Sequence, residues 1–249
     1  MTIKIDRNTF VTLLWWVILG LDAICLAVLV TVLPRRLRNK VGLRVATSVL
    51  LRAAGVKVHV EEGLENVDKN HPQIFVANHK SWFDSFVLTT VLPVPLTFAS
   101  KKEMFRVPVY NYIMRRLRFV RVDRTHPMGI LKNIDATADV VRSGLSFVVY
   151  PEGTTSKTDK LGSFKRGVIL LARNACVPIV PVTLVGTQEI KAPDSWRINF
   201  GKQIKVIISR PIEASATGKK EQIVMIKKIR QIITGNLERA KMPKKTRLH

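Results

Sequence analysis

Residues 10 to 33 read FVTLLWWVILGLDAICLAVLVTVL, an apolar run interrupted by one charge, Asp22. A helix needs about 20 apolar residues to cross a bilayer, and this run is longer. A secretory signal has a shorter apolar core and ends at a small-residue cleavage site. Here the run ends in PRRLRNK, with no such site. Two arrangements fit. One is a single spanning anchor. The other is a helix that turns at Pro34 and returns through residues 37 to 54, lying in one leaflet. In that stretch Leu37, Val41, Val45 and Val49 share a face at spacing four, while Arg38, Lys40, Arg44 and Arg52 are polar. A carboxylate at the bilayer centre is costly, so Asp22 favours the shallow hairpin. Trp15 and Trp16 suit a headgroup boundary, and the basic segment from Arg35 onward is expected on the cytoplasmic side.

With 249 residues and 47% apolar content, the chain is no disordered polycation; it can bury a sizeable core beside its anchor. Its 41 Lys and Arg against 18 Asp and Glu leave a net charge of +23. Such a surface seeks anions: nucleic acid, an anionic bilayer, or phosphorylated and acidic substrates. Two cysteines, Cys25 and Cys176, make neither a disulfide framework nor a zinc site. Both are expected to be buried thiols.

From Gly55 on, short β-rich runs alternate with helical patterns. The expected strands are VKVHV (56–60), QIFVAN (73–78), LTFAS (96–100), LRFVRV (117–122), SFVVY (146–150), PIVPVTLV (178–185), RINF (197–200) and IKVIIS (204–209). Helices are expected near 82–92, 103–116, 127–142 and 165–175. Continuous apolar strands such as FVVY suit a sheet covered on both faces, and the alternation with helices argues for an α/β fold. The expectation is a mixed, largely parallel sheet flanked by helices, preceded by a hydrophobic membrane-anchoring helix or helical hairpin. The anchor takes residues 1–54, and the domain takes 55–249. Near the end Ile223, Ile226, Ile229, Ile233 and Leu237 form a helical stripe, expected to pack on the domain with its basic face in solvent.

The stretch ANHKSWFD (77–84) follows the strand QIFV. That places Asn78 and His79 at the carboxyl end of the sheet, where open α/β folds bind ligands. Ser81 with Asp84 three residues later reads as a capping box. If His79 lies in the loop and Asp84 in the first helical turn, the carboxylate can fold back onto the imidazole. A carboxylate on one ring nitrogen fixes the tautomer and makes the other nitrogen more basic. The product is a general base for a hydroxyl group. FVRVDR (119–124) brings Arg124 to the rim of the sheet, and a guanidinium grips phosphate bidentately. YPEGTTS (150–156) ends another strand in a turn. There Gly153 permits close backbone approach, and Thr154, Thr155 and Ser156 offer hydroxyls and amides to a phosphate. Competing motifs are missing. The sequence has no G-x-S-x-G elbow, no phosphate loop, no G-x-G-x-x-G and no cluster with metal-ligand spacing.

Taken in order, NHKSWFD, FVRVDR preceded by SKKEMFRVPVYNYIMRRL, YPEGTTS, and VPIVPVTLVG (177–186) resemble the glycerolipid acyltransferase family. Within it they are most similar to the bacterial 1-acyl-sn-glycerol-3-phosphate acyltransferases, over about residues 40 to 215. The resemblance implies that His79 takes the proton of the acceptor's sn-2 hydroxyl, which attacks an acyl thioester, and that Asp84 orients His79. It implies that Arg124, Glu152 and Gly153 hold the glycerol phosphate, with Asn78, Lys101, Lys102 and Thr154 near that pocket, and that Ile179 to Val182 line part of the substrate or acyl site. Where the family has arginine after P-E-G-T, this chain has Thr155; Lys165 or Arg166 in SFKRG is the expected substitute. The implied partners are lysophosphatidic acid, acyl-CoA or acyl carrier protein as donor, and an anionic membrane. Neither nucleic acid, metal nor cofactor is implied. The implied location is the cytoplasmic (inner) membrane, with the catalytic domain on its cytoplasmic side. Glycerol 3-phosphate or another lysophospholipid is the alternative acceptor. A membrane-tethered module that binds anionic lipid or nucleic acid without chemistry is the alternative class.

Overall fold

In a computed structural model, residues 7–122, 134–155, 161–192 and 195–241 are described. The first helix, α1 (Arg7–Val32), is long and apolar enough to cross a bilayer. It does not stand apart from the rest of the chain. Pro34 ends it, and the short helix α2 (Arg35–Leu37), a π-helical turn (Arg38–Gly42) and α3 (Leu43–Ala53) carry the chain back along it. Gly42 permits this return, because a Cβ there would lie 3.3 Å from Leu33. The pair is the helical hairpin, and it lies against the domain. Trp15 Nε1 donates to the Leu50 carbonyl at 3.1 Å. Near one end of α1 the Ile198 amide donates to Thr12 Oγ1, and near the other Thr31 and Tyr112 share a hydrogen bond of 2.8 Å. The outward sides stay apolar: Phe10, Leu14, Val17, Leu21, Ile24, Val28 and Val32 on the first helix, Val41, Val45 and Val49 on the return.

After the hairpin come β1 (Lys57–Glu62), β2 (Ile74–Ala77), α4 (Phe83–Val91), β3 (Leu96–Lys101), α5 (Pro108–Arg116), β4 (Val120–Val122), α6 (Ile134–Arg142) and β5 (Ser146–Val149). Then follow α7 (Gly167–Ala175), β6 (Ile179–Val185), α8 (Thr187–Ile190), β7 (Gln203–Ile208) and α9 (Lys219–Lys241). The seven strands form one sheet in the order β1-β7-β6-β2-β5-β3-β4, parallel throughout except between β6 and β7. Side chains alternate across a strand, so β2 serves two cores. Phe75 and Ala77 join α1, α3, α4 and α5 on one face. Ile74 and Val76 join α6, α7 and α9 on the other, where Ile226, Ile229 and Ile233 are buried. Leu237 packs partly against that cluster, and Ile223 at the open end of the stripe is exposed.

Several sequence expectations shift. RINF (197–200) is not a strand: its amides go to Thr12 and to the Ile190 carbonyl at the end of α8, not to a neighbouring strand. The helix expected over 103–116 splits into a 3-10 segment, Lys102–Arg106, and α5. Pro108 has no amide hydrogen to continue a helix but is well suited to start one. The expected 127–142 helix is described from Ile134 on. Both cysteines are exposed, not buried. Cys25 faces outward from the apolar helix, and Cys176 takes the left-handed cap position that ends α7.

Candidate active site

Strand β2 ends at Ala77, and the next seven residues build the site. Asn78 is fully buried; its amide nitrogen donates to the Leu184 carbonyl and its oxygen accepts from the Leu184 amide, both at 2.8 Å. Asn78 therefore clamps the end of β2 to β6, with its side-chain oxygen and nitrogen both engaged inside the protein rather than offered to a ligand. The clamp turns the following loop, which folds over the first turn of α4. There Asp84 Oδ2 accepts from His79 Nδ1 at 2.8 Å, from the Lys80 amide at 2.7 Å and from the Ser81 amide at 2.9 Å. Half of the capping box thus forms: Asp84 reaches back to Ser81, while the Ser81 hydroxyl donates to the Lys191 carbonyl instead.

Asp84 is fully buried and His79 is 7% exposed. A buried carboxylate is costly unless donors surround it; three donors on Oδ2, with the helix N-terminus behind them, offset part of that cost, while Oδ1 is buried with no hydrogen-bond partner. The bond from Nδ1 leaves Nε2 as the ring's basic atom. Tyr150, the residue after β5, stacks on the imidazole at 4.0 Å between ring centroids, 14° from parallel, and shares a 2.9 Å hydrogen bond with Ser85. Glu152 fixes the backbone around them. Its Oε1 accepts from the His79 amide at 3.0 Å and its Oε2 from the Gly162 amide at 2.9 Å. The aromatic residue before P-E-G is the one trace of the Tyr150 stack visible in the sequence, because β2 and β5 are neighbours only in the folded sheet.

Gly153 has φ +80°, in the left-handed region that suits glycine. The end of the Lys165 side chain lies over it, with Nζ 3.3 Å from where a Cβ would stand. Lys165 is brought there by its backbone N–H, which donates a hydrogen bond to the Pro151 carbonyl at 3.0 Å. Arg166 turns the other way, toward Gln222 at 3.3 Å. Of the two expected substitutes for the family arginine, Lys165 is the one at the turn. Thr154 is exposed on it and Thr155 is half-buried. Lys101 ends β3 at the carboxyl edge shared by β2 and β5, and Lys102 opens the next segment. Arg124 and Ser156 lie outside the described residues. Ile179, Val180 and Val182 are wholly buried in the central strand, so they are core and line no open surface. Among the described residues no group of His, Cys, Asp and Glu suits a metal ion.

Comparison with known proteins places this geometry. A family model described as Acyltransferase matches residues 57–185. The probable 1-acyl-sn-glycerol-3-phosphate acyltransferase of Mycoplasma pneumoniae is 36% identical over 191 residues, covering 72% of this chain and 70% of that one. The chloroplastic 1-acyl-sn-glycerol-3-phosphate acyltransferase BAT2 of Brassica napus is 35% identical over 62% of this chain. The match spans 45% of the Brassica protein and 44% of its Arabidopsis thaliana counterpart, under half the length of either. In three dimensions the chain is similar to the 1-acyl-sn-glycerophosphate acyltransferase PlsC of Thermotoga maritima. The TM-score is 0.79 at 22% identity, over 95% of this chain and 98% of that one.

Proposed function

The chain belongs to the Acyltransferase family, and from that premise we propose that it moves an acyl chain from a thioester to the sn-2 hydroxyl of 1-acyl-sn-glycerol 3-phosphate, making phosphatidic acid. The bond from His79 Nδ1 to Asp84 carries this reading. His79 Nε2 takes the hydroxyl proton as the oxygen attacks the thioester carbonyl. The tetrahedral intermediate collapses, the carbon–sulfur bond breaks, and the imidazolium returns the proton to the leaving thiolate. Asp84 supports the positive ring between these steps. The scheme needs no acyl-enzyme. A lipid-binding module without chemistry gives no reason for three donors converging on one buried carboxylate oxygen.

The acceptor phosphate lies at the P-E-G turn. Lys165 stands there in place of the family arginine, with Lys101, Lys102 and Arg124 as further cations. The hairpin rests in the cytoplasmic leaflet and brings the carboxyl edge of the sheet to the lipid. Its outward apolar stripes support this placement.

Purified protein should therefore turn over lysophosphatidate in preference to glycerol 3-phosphate with an acyl thioester donor. A clear preference for glycerol 3-phosphate would refute the acceptor assignment. In the same assay Lys165→Ala is expected to raise the KM for lysophosphatidate by about 10- to 100-fold, the worth of one charge-assisted hydrogen bond. Adding Thr155→Arg should recover much of it. An unchanged KM in Lys165→Ala would remove Lys165 from the phosphate site.

A further inference from the structure

The chain holds four tryptophans; three of them meet at the motif that carries His79 and Asp84, and the fourth, Trp196, joins them through its backbone carbonyl. Trp15 and Trp16 cross edge to face at 5.4 Å. Trp15 lies on Phe83, also at 5.4 Å, and Trp16 meets Trp82 edge to face at 6.1 Å. Trp16 Nε1 donates to the Trp196 carbonyl at 3.0 Å. Two cations complete the group. Lys191 Nζ stands 4.5 Å from the centre of the Trp82 ring, and the Arg197 guanidinium 6.0 Å from that of Trp196. Nothing in the local sequence brings these residues together; Trp16 and Trp196 are 180 positions apart.

Burial divides the rings. Trp15 is core, at 2% exposed, while Trp82 is 57% and Trp196 47% exposed. Within the motif the contrast is sharp: His79, Lys80, Ser81, Phe83 and Asp84 are all buried, and Trp82 alone faces out. A large ring held in water beside a catalytic pair gains nothing from the protein's own core. Tryptophan rings with cations beside them suit the headgroup layer, where an apolar body meets lipid and a polar edge meets water. An exposed arginine such as Arg197 gains further there from anionic headgroups, while Lys191 is buried behind the Trp82 ring. The outward stripe of α1 begins in the same region with Phe10, Leu13 and Leu14, so the rings continue an apolar surface.

We propose that Trp82, Trp196 and Arg197 form an aromatic and cationic collar that seats in the headgroup layer of an anionic bilayer and fixes the depth of the His79 loop, with the buried Lys191 bracing the Trp82 ring from the protein side. The collar deepens the proposed function, since it places the base at the level of a lipid's glycerol. The docking itself needs no turnover, so it can be tested apart from that reading.

The full chain is mixed with vesicles of phosphatidylcholine, with and without phosphatidylglycerol. Trp82 and Trp196 are the two exposed tryptophans, so the part of the intrinsic fluorescence that changes with lipid, read as the difference between the unaltered chain and each tryptophan variant, reports on the collar. Quenching should be strongest by lipids brominated close to the headgroup. Trp82→Ala and Trp196→Ala should each weaken vesicle binding roughly tenfold, as expected for an aromatic ring withdrawn from an apolar layer, and Trp82→Phe should recover part of the loss. Arg197→Gln should weaken binding about fivefold on anionic vesicles and not on phosphatidylcholine alone. His79→Ala should bind as the unaltered chain does, which keeps a failure of the acyl-transfer reading distinct from a failure of the collar. Three outcomes would overturn the proposal: both alanine variants binding like the unaltered chain, quenching deepest in the acyl region, or a fluorescence change that follows protein concentration without lipid and so marks pairing of two copies. If Trp82→Ala fails to fold, Trp196→Ala, outside the catalytic loop, decides the matter.

Discussion

Replacing His79 with alanine is expected to lower kcat for acyl transfer by about 10²- to 10⁴-fold, the usual worth of a positioned general base. The KM values of donor and acceptor should change little, because the imidazole acts on a proton that moves only during reaction. The expectation follows from three constraints on one ring. Asp84 holds Nδ1, Tyr150 holds the ring's plane, and Glu152 holds the backbone amide of the same residue. Steady-state kinetics on the purified variant, with a thermal melt to confirm its fold, would measure the effect. Transfer at the unaltered rate would remove the imidazole from the chemistry altogether.

Asp84 separates charge from architecture. Asp84→Asn can keep an oxygen where Oδ2 accepts from the Lys80 and Ser81 amides, so the loop should fold. It cannot keep the negative charge that supports the imidazolium, because the same oxygen that serves both amides faces the ring and is now neutral. A fall in kcat of about 10²- to 10⁴-fold, the range of a general base, is expected, with Tm nearly unchanged. Asp84→Ala should differ in kind. It strands two backbone amides and a ring N–H in the core, at about 1–3 kcal/mol for each unsatisfied group, and so should lower Tm markedly. Equal activity in the asparagine variant would show that Asp84 caps a helix and does no more.

Much of this fold was open to reading from the residues. The strand β2 announced itself as an unbroken apolar run, because helices cover both faces of the sheet and every side chain of Ile74–Ala77 is buried. The histidine and the carboxylate were legible because they sit five positions apart, and a loop followed by one helical turn brings them together whatever the rest of the chain does. Glu152 and Tyr150 were harder. They reach His79 because β5 lies beside β2 in the sheet, and strand order depends on long-range packing that local patterns do not encode. The choice between Lys165 and Arg166 was also hidden. Adjacent residues at the start of a helix point in different directions, and only the path of the preceding loop decides which one meets Gly153. RINF misled for a related reason: β-branched and aromatic residues favour any half-buried extended segment, including one whose partners are a helix side chain and a helix end.

The lengthwise seating of the leading helix has a mechanical consequence. It is pinned near its start through Thr12, in its middle by the Trp15 bond to the return helix, and near its far end through Thr31. Among the described residues no slack tether separates this helix from the sheet, so the greasy part and the reactive part travel as one rigid piece. The base cannot swing out on a leash to collect a distant alcohol. On the proposed seating in a leaflet, substrates must diffuse sideways to it, and the tilt of the molecule decides which of them arrive.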